Sequence, residues 1–244
     1  MIDQGKRVLA LALATLLGTL PSAASAQITA GQVSNFENGT TQGWQINLLG
    51  ISPPPAATFP VNVSTGGPAG VNDNFLRLTS IGGSGGGPQP GSKLMVLNPA
   101  FWGGNYLTAG ITSIRLDAIN LGNTDLLLRF LVEDAMGAPP TNIGISSTPL
   151  SLLAGSGWQS LEFPLFGPGG LAPFLGSVNA ALTNTTIVRI YHSPTFVDQP
   201  NSVVAQLGLD NITAVGRTVP EPSTFVLLGA GGLGLLLVRR RTAR

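Results

Sequence analysis

The chain of 244 residues has no cysteine and a single histidine, His192, and only 9% of its residues are charged. Each shortage removes a class of chemistry. Without cysteine there is no disulfide framework, no thiolate nucleophile and no cysteine-ligated metal. One histidine cannot build a histidine-based zinc site. Sparse charge beside 33 glycines and 19 prolines suits an exported β-protein with long loops better than a charged cytosolic enzyme. The formal net charge of +1 is unevenly placed. Residues 27–219 hold six basic side chains (Lys93, Arg77, Arg115, Arg129, Arg189, Arg217) against nine acidic ones (Glu37, Asp73, Asp117, Asp125, Glu133, Asp134, Glu162, Asp198, Asp210), a net −3. The positive charge therefore belongs to the two ends. No basic patch lies between them, and no nucleic-acid partner is expected.

The ends read as addresses. Lys6 and Arg7 precede an apolar stretch from Val8 to Leu20, and Ala24-Ser25-Ala26 forms an A-x-A cleavage site. Residues 1–26 are thus expected to be a signal peptide, cut after Ala26 so that the mature chain begins at Gln27. At the other end Val219-Pro220-Glu221-Pro222-Ser223-Thr224 leads into an uncharged run, Phe225 to Val238, closed by Arg239-Arg240-Arg241. As a helix rising about 1.5 Å per residue the run reaches roughly 20 Å, short of the ~30 Å hydrocarbon core. Snorkelling arginines and local thinning of the bilayer cover the difference. A transmembrane helix over 225–238 is expected, with the basic end 239–244 in the cytoplasm. Gly229, Gly231, Gly232 and Gly234 argue against a buried soluble helix, which each would weaken by about 1 kcal/mol.

Signal peptide, Pro-Glu-Pro, short glycine-containing span and arginine cluster together resemble the PEP-CTERM sorting class of bacterial envelope proteins, over residues 219–244. The resemblance implies an exosortase, a membrane protease-transpeptidase, as partner. It would recognise Val219, Pro220, Glu221 and Pro222, cut near them, and release or transfer the ectodomain to the envelope, outer surface or extracellular matrix. The motif suits a protease physically. Two prolines hold the segment extended and block helix continuation, and Glu221 places one charge between them. The tail class also carries an ice-binding label, but the body shows no regular Thr-x-Thr array, and no thermal hysteresis is expected.

Between the addresses, residues 27–216 are long enough for one domain with a sizeable core, followed by the sorting tail 217–244. Period-2 alternation dominates. Ile114, Leu116 and Ala118 alternate with Arg115 and Asp117; Leu126, Leu128, Phe130 and Val132 share a face opposite Arg129 and Glu133; Leu161, Phe163 and Leu165 alternate with Ser160 and Glu162. Phe75–Thr79, Leu94–Leu97, Ile187–Tyr191 and Leu207–Val215 also read as strands. Ser52-Pro53-Pro54-Pro55, Gly82–Gly91 and Gly167-Pro168-Gly169-Gly170 read as loops. No helical period and no internal repeat is found. The expected fold is all-β, an antiparallel β-sandwich of jelly-roll type.

A second, sparser pattern spans the body. It comprises Phe36-Glu37-Asn38-Gly39, Gly43-Trp44, Phe101-Trp102-Gly103-Gly104-Asn105-Tyr106, Trp158 and the closing Leu207-Gly208-Leu209-Asp210-Asn211-Ile212. It resembles laminin-B-type and galactose-binding-like jelly rolls, including several carbohydrate-binding modules. The resemblance implies a structural Ca²⁺ joining the first strand to the last, with Glu37 and Asp210 as ligands; hard oxygen donors suit that ion. It also implies glycan contacts. Trp102 and Tyr106, separated by Gly-Gly-Asn, are the best candidate pair of ring faces, with Asn105 or Asp73 as polar partners, although a core role is the favoured reading of Trp102. Trp44 and Trp158 are expected in the core, the usual place for large aromatics.

Catalytic patterns do not assemble. Gly82-Gly83-Ser84-Gly85-Gly86 fits G-x-S-x-G, but glycine and Pro88 follow where a nucleophile elbow needs a helix. His192 ends a strand before Pro194, which suits a structural role. Glu133 and Asp134 are adjacent and would point to opposite faces of a strand, unlike paired glycosidase acids. The Asn-x-Ser/Thr sequons at Asn38, Asn62, Asn184 and Asn211 arise readily in so Asn- and Thr-rich a chain. The leading expectation is a non-enzymatic exported envelope or matrix protein with no cofactor beyond the candidate calcium. A carbohydrate-binding module for exopolysaccharide and a secreted hydrolase are the alternatives.

Overall fold

The computed structural model describes residues 27–46, 55–83, 91–134 and 139–217. Ala24, Ala26, the sorting motif Val219-Pro220-Glu221-Pro222, the run 225–238, Ser52-Pro53-Pro54 and most of the Gly82–Gly91 loop lie outside the described residues.

Twelve strands form the described body: β1 Val33–Ser34, β2 Val61–Val63, β3 Phe75–Ile81, β4 Met95–Asn98, β5 Ile111–Asn120, β6 Leu126–Glu133, β7 Ile143–Ser146, β8 Leu150–Leu152, β9 Gln159–Pro164, β10 Leu171–Leu175, β11 Ile187–His192 and β12 Val204–Gly216. They build two antiparallel sheets. The first runs β2-β3-β12-β5-β9, with β1 added to β12; the second runs β10-β7-β6-β11-β4, with β8 added to β6. The expected antiparallel sandwich is present, and every long run singled out by alternation is a strand. Five short strands (β1, β2, β7, β8, β10) carry too few residues for a period to show. Pro173 sits on β10, an edge strand, where a missing N–H is tolerated. One helix, α1 Val178–Thr183, was not expected. Six residues hold less than two turns, too few for a helical pattern; Ser177 caps it, accepting from the Ala180 N–H.

The core lies between the sheets. Leu76, Leu78, Ile114, Leu116, Ala118, Phe163, Leu207 and Leu209 of the first sheet meet Leu126, Leu128, Phe130, Val132, Val188 and Ile190 of the second. Phe130 and Phe163 stack across the gap with centroids 6.0 Å apart. Each such side chain contributes about 1.5–3 kcal/mol by leaving water. The outer face of the second sheet is covered as well, with Met95, Leu131, Ile143, Ile145 and Tyr191 forming a second buried cluster.

The long strand β12 keeps one face in the core by a bulge. Leu207 and Leu209 point inward on odd numbers, Ile212 and Ala214 on even ones. The register against β5 shifts between Asp210 and Thr213, and Asn211 there takes φ +49°. One extra residue in the left-handed region resets the alternation, a conformation asparagine tolerates better than branched residues do.

Chain entry and exit share one end of the sandwich. The Ile28 N–H donates to Gly103 O, Gly31 N–H to Ala214 O, and Arg217 N–H to Gly110 O, at 2.8, 2.8 and 2.9 Å.

Candidate functional site

Asp210 lies just before the β12 bulge, on the outer face of the first sheet. Across the ladder it pairs with Asp117 of β5. The loop after β1 and the turn before β3 close over this corner. Asn62 donates to the Phe36 carbonyl at 2.7 Å, and the Asn74 N–H donates to Glu37 Oε1 at 2.9 Å. Asp73, one residue earlier, accepts from the Ala69 N–H. The corner thereby collects Glu37, Asp73 and Asp117 around Asp210.

Asp210 is 1% exposed. One carboxylate oxygen accepts from the Asn211 N–H at 2.7 Å, while the other, Oδ2, is buried without a partner. Burial pushes the carboxyl up to about 7, and the charges of Asp73, Glu37 and Asp117 push the same way, against the single backbone hydrogen bond. A buried carboxylate facing three further acids is costly unless a proton or a cation compensates it. The donor set is oxygen throughout, as a hard cation requires. Among the described residues, however, no three acidic, histidine or cysteine side chains converge closely enough to hold an ion by themselves. A cation at Asp210 would complete its shell with backbone carbonyls and water. The corner brings the sequence-expected pair Glu37 and Asp210 into one charged neighbourhood and adds Asp73 and Asp117. That addition depends on the β5–β12 register and the fold of the 64–74 loop, for which the sequence carries no local signal.

The candidate ring faces are placed differently. Trp102 and Tyr106 are fully buried, so neither offers a face to a glycan. The cause is local and polar. Trp44 and Trp102 tilt against each other at 5.6 Å, and both indole N–H groups donate to the Ser34 hydroxyl at 3.1 Å. The Tyr106 hydroxyl donates to the Trp102 carbonyl at 2.8 Å, and burial drives its pKa upward. Asn105 caps the following turn, accepting from the Thr108 N–H at 3.0 Å. Trp44 is in the core, as expected. Trp158, also expected there, is only half-buried. It packs edge-on to Phe75 at 5.4 Å and donates to the Gly66 carbonyl at 2.9 Å. The Phe75 ring occupies the space over Gly208, where a Cβ would come within 3.2 Å of it.

His192 is held neutral. Its Nδ1 accepts the Leu127 N–H at 3.0 Å, and burial lowers its pKa. Glu133 and Asp134 part as the strand geometry requires. Both Glu133 oxygens accept from Arg189 Nη2, at 2.7 and 2.6 Å, inside the second sheet's outer face. Burial raises the Glu133 carboxyl more than Arg189 lowers it. Asp134 instead accepts from Thr141 and Asn142.

Residues 218–241 match the PEP-CTERM protein-sorting motif. No curated protein matches the chain. Among solved structures, a family 11 carbohydrate-binding module from Clostridium thermocellum is similar at 12% identity and TM-score 0.44, over 78% of this chain and 98% of that one. A family 30 carbohydrate-binding module of a cellulosomal cellulase of the same organism is similar at 13% identity and TM-score 0.40, over 79% and 98%. An exo-β-agarase is similar at 12% identity and TM-score 0.49, over 73% of this chain and 24% of its own length. The carbohydrates named here belong to those proteins.

Proposed function

We propose that the chain is an exported envelope or matrix protein whose tail is cut by an exosortase and whose sandwich is the delivered, non-catalytic cargo. The observation that carries this reading is the sorting motif at 218–241, set directly behind the last strand. β12 ends at Gly216 and Arg217 is the last described residue. In the sequence three residues, 217–219, separate the end of β12 from Pro220-Glu221-Pro222. Before processing, the run 225–238 spans the inner membrane with Arg239-Arg240-Arg241 on the cytoplasmic side. Replacing Pro220 and Glu221 by alanine in an exosortase-bearing host tests the reading. Accumulation of unprocessed chain is expected; processing at the wild-type rate would overturn it.

A second reading concerns the corner at Asp210, and the observation that favours it is the buried, partnerless Oδ2. We propose that Asp210, with Glu37 and backbone carbonyls of the neighbouring loop, holds a structural Ca²⁺. The ion would neutralise the charge in the first sheet and tie the loop after β1 to β12. Calorimetric titration of the metal-free protein with calcium tests it; no binding heat and no rise in Tm would sink it.

A further inference from the structure

The end of the sandwich that bears the tail is almost free of charge. Segments 27–36, 99–114 and 163–188 contain no Asp, Glu, Lys or Arg, and hydrogen bonds bring them together around the exit of β12. The Arg217 N–H donates to Gly110 O and the Gly110 N–H to Leu107 O. Thr112 Oγ1 donates to Val215 O at 3.2 Å, and the Leu165 N–H donates to Thr112 O at 2.9 Å. The Tyr106 N–H donates to Leu182 O at 2.9 Å, tying in α1. On these segments Leu107 is 39% exposed, Phe166 42% and Leu175 46%. The acids bordering these segments are engaged, Asp134 by Thr141 and Asn142 and Glu162 by the Ser113 hydroxyl, and the exposed cation at the exit is Arg217. The opposite end also exposes apolar side chains, Leu121 and Leu153 among them. There, however, the charged Asp125 lies between, accepting from the Ala154 N–H at 2.8 Å.

We propose that the tail-bearing end is a membrane-resting surface: while the tail is anchored, Leu107, Phe166 and Leu175 settle into the headgroup–acyl boundary of the bilayer the tail enters. The inference rests on the reading that residues 225–238 span that bilayer. Residues 218–224 separate Arg217 from the span, and fully extended they reach no more than about 25 Å. The body is thus confined to the surface, where tethering raises its effective concentration to roughly millimolar and contacts too weak to bind in free solution become occupied. An end with so few charges lets the loops approach with little desolvation of ions, and Arg217 is drawn to anionic headgroups. Such seating presents the opposite end, with Leu121 and Leu153, away from the membrane.

The absence of cysteine makes the test direct. Single-cysteine variants Leu107→Cys, Phe166→Cys, Leu153→Cys and Leu236→Cys of the full chain are labelled with the fluorophore NBD. They are then reconstituted into phosphatidylethanolamine–phosphatidylglycerol vesicles containing a doxyl-quencher lipid. The labels at 107, 166 and 236 are expected to shift to the blue and lose emission, and the label at 153 to behave as in water. Quenching at 236 with 107 and 166 no different from 153 overturns the proposal and leaves the anchored tail standing. An unquenched label at 236 sinks the anchored-tail reading, and this proposal with it. The vesicles hold no second protein, so quenching at 107 and 166 reports lipid and not the surface of a membrane protease.

Discussion

Asp117 and Asp210 stand opposite each other in the β5–β12 ladder, and the bulge that follows lets Asn211 bridge them. The Asn211 N–H donates to Asp210 at 2.7 Å, and its side-chain amide donates to Asp117 Oδ2 at 2.9 Å. Like charges directly opposed across a ladder are destabilising. The arrangement persists because asparagine in the left-handed region supplies donors to both.

The part of the calcium-free protein's stability that comes from Asp210 should fall as pH rises from about 4 to 7, against the opposite contribution of His192, whose pKa burial lowers. Asp210 titrates near 3.8 when unfolded and at about 7 when folded. Between these values the folded state keeps a proton that the unfolded chain has lost, so the stabilisation is complete below the lower value and gone above the higher. Asp210→Asn should flatten this slope and raise Tm at pH 8 in EDTA. In calcium the wild type should gain stability at pH 8 and the variant should not. Thermal melts at pH 5 and 8, with and without calcium, read all four outcomes.

Trp102→Ala should act on the fold and leave glycan retention unchanged. The ring is fully buried, and truncations of this kind cost about 3–5 kcal/mol. Chemical denaturation gives the loss. Retention on a polysaccharide gel, normalised to folded protein, should not move.

Ser34→Ala leaves two buried indole N–H groups, on Trp44 and Trp102, without their shared acceptor. Each unsatisfied donor costs about 1–3 kcal/mol. Ser34→Thr keeps the hydroxyl and should recover much of the loss in the same denaturation series.

Removing one partner of the Arg189–Glu133 pair should be worse than replacing both. The contact is 2.6 Å with both side chains nearly inaccessible, and a lone buried charge costs about 3–5 kcal/mol. Arg189→Met should lower the denaturation midpoint more than the double replacement Arg189→Met with Glu133→Leu.

Much of the fold was legible because long alternating runs carry their own signal. The runs now seen as β5, β6 and β9 stand out that way, whereas the bulge at Asn211 within Leu207–Val215, read as one strand, was not anticipated. The short strands and α1 are set by their neighbours, not by a period. The candidate site was half legible. Glu37 and Asp210 are paired only through the resemblance to jelly-roll modules, while Asp117 enters only through cross-strand register. Trp102 and Tyr106 take the core role rather than that of candidate ring faces, which Gly-Gly-Asn suggests by looking like an exposed loop. Its backbone is instead folded inward, with the Ile28 and Thr185 N–H groups donating to the Gly103 and Gly104 carbonyls. Trp158 lies on the outward-facing side of the first sheet, a parity the sequence does not announce.

On the proposed reading the tail is a cleavable address. Intact-mass spectrometry of the product released from an exosortase-bearing host tests it most directly. A chain beginning at Gln27 and ending within residues 219–224 is expected. A surface or secreted product that retains Phe225 through Arg244 would contradict it.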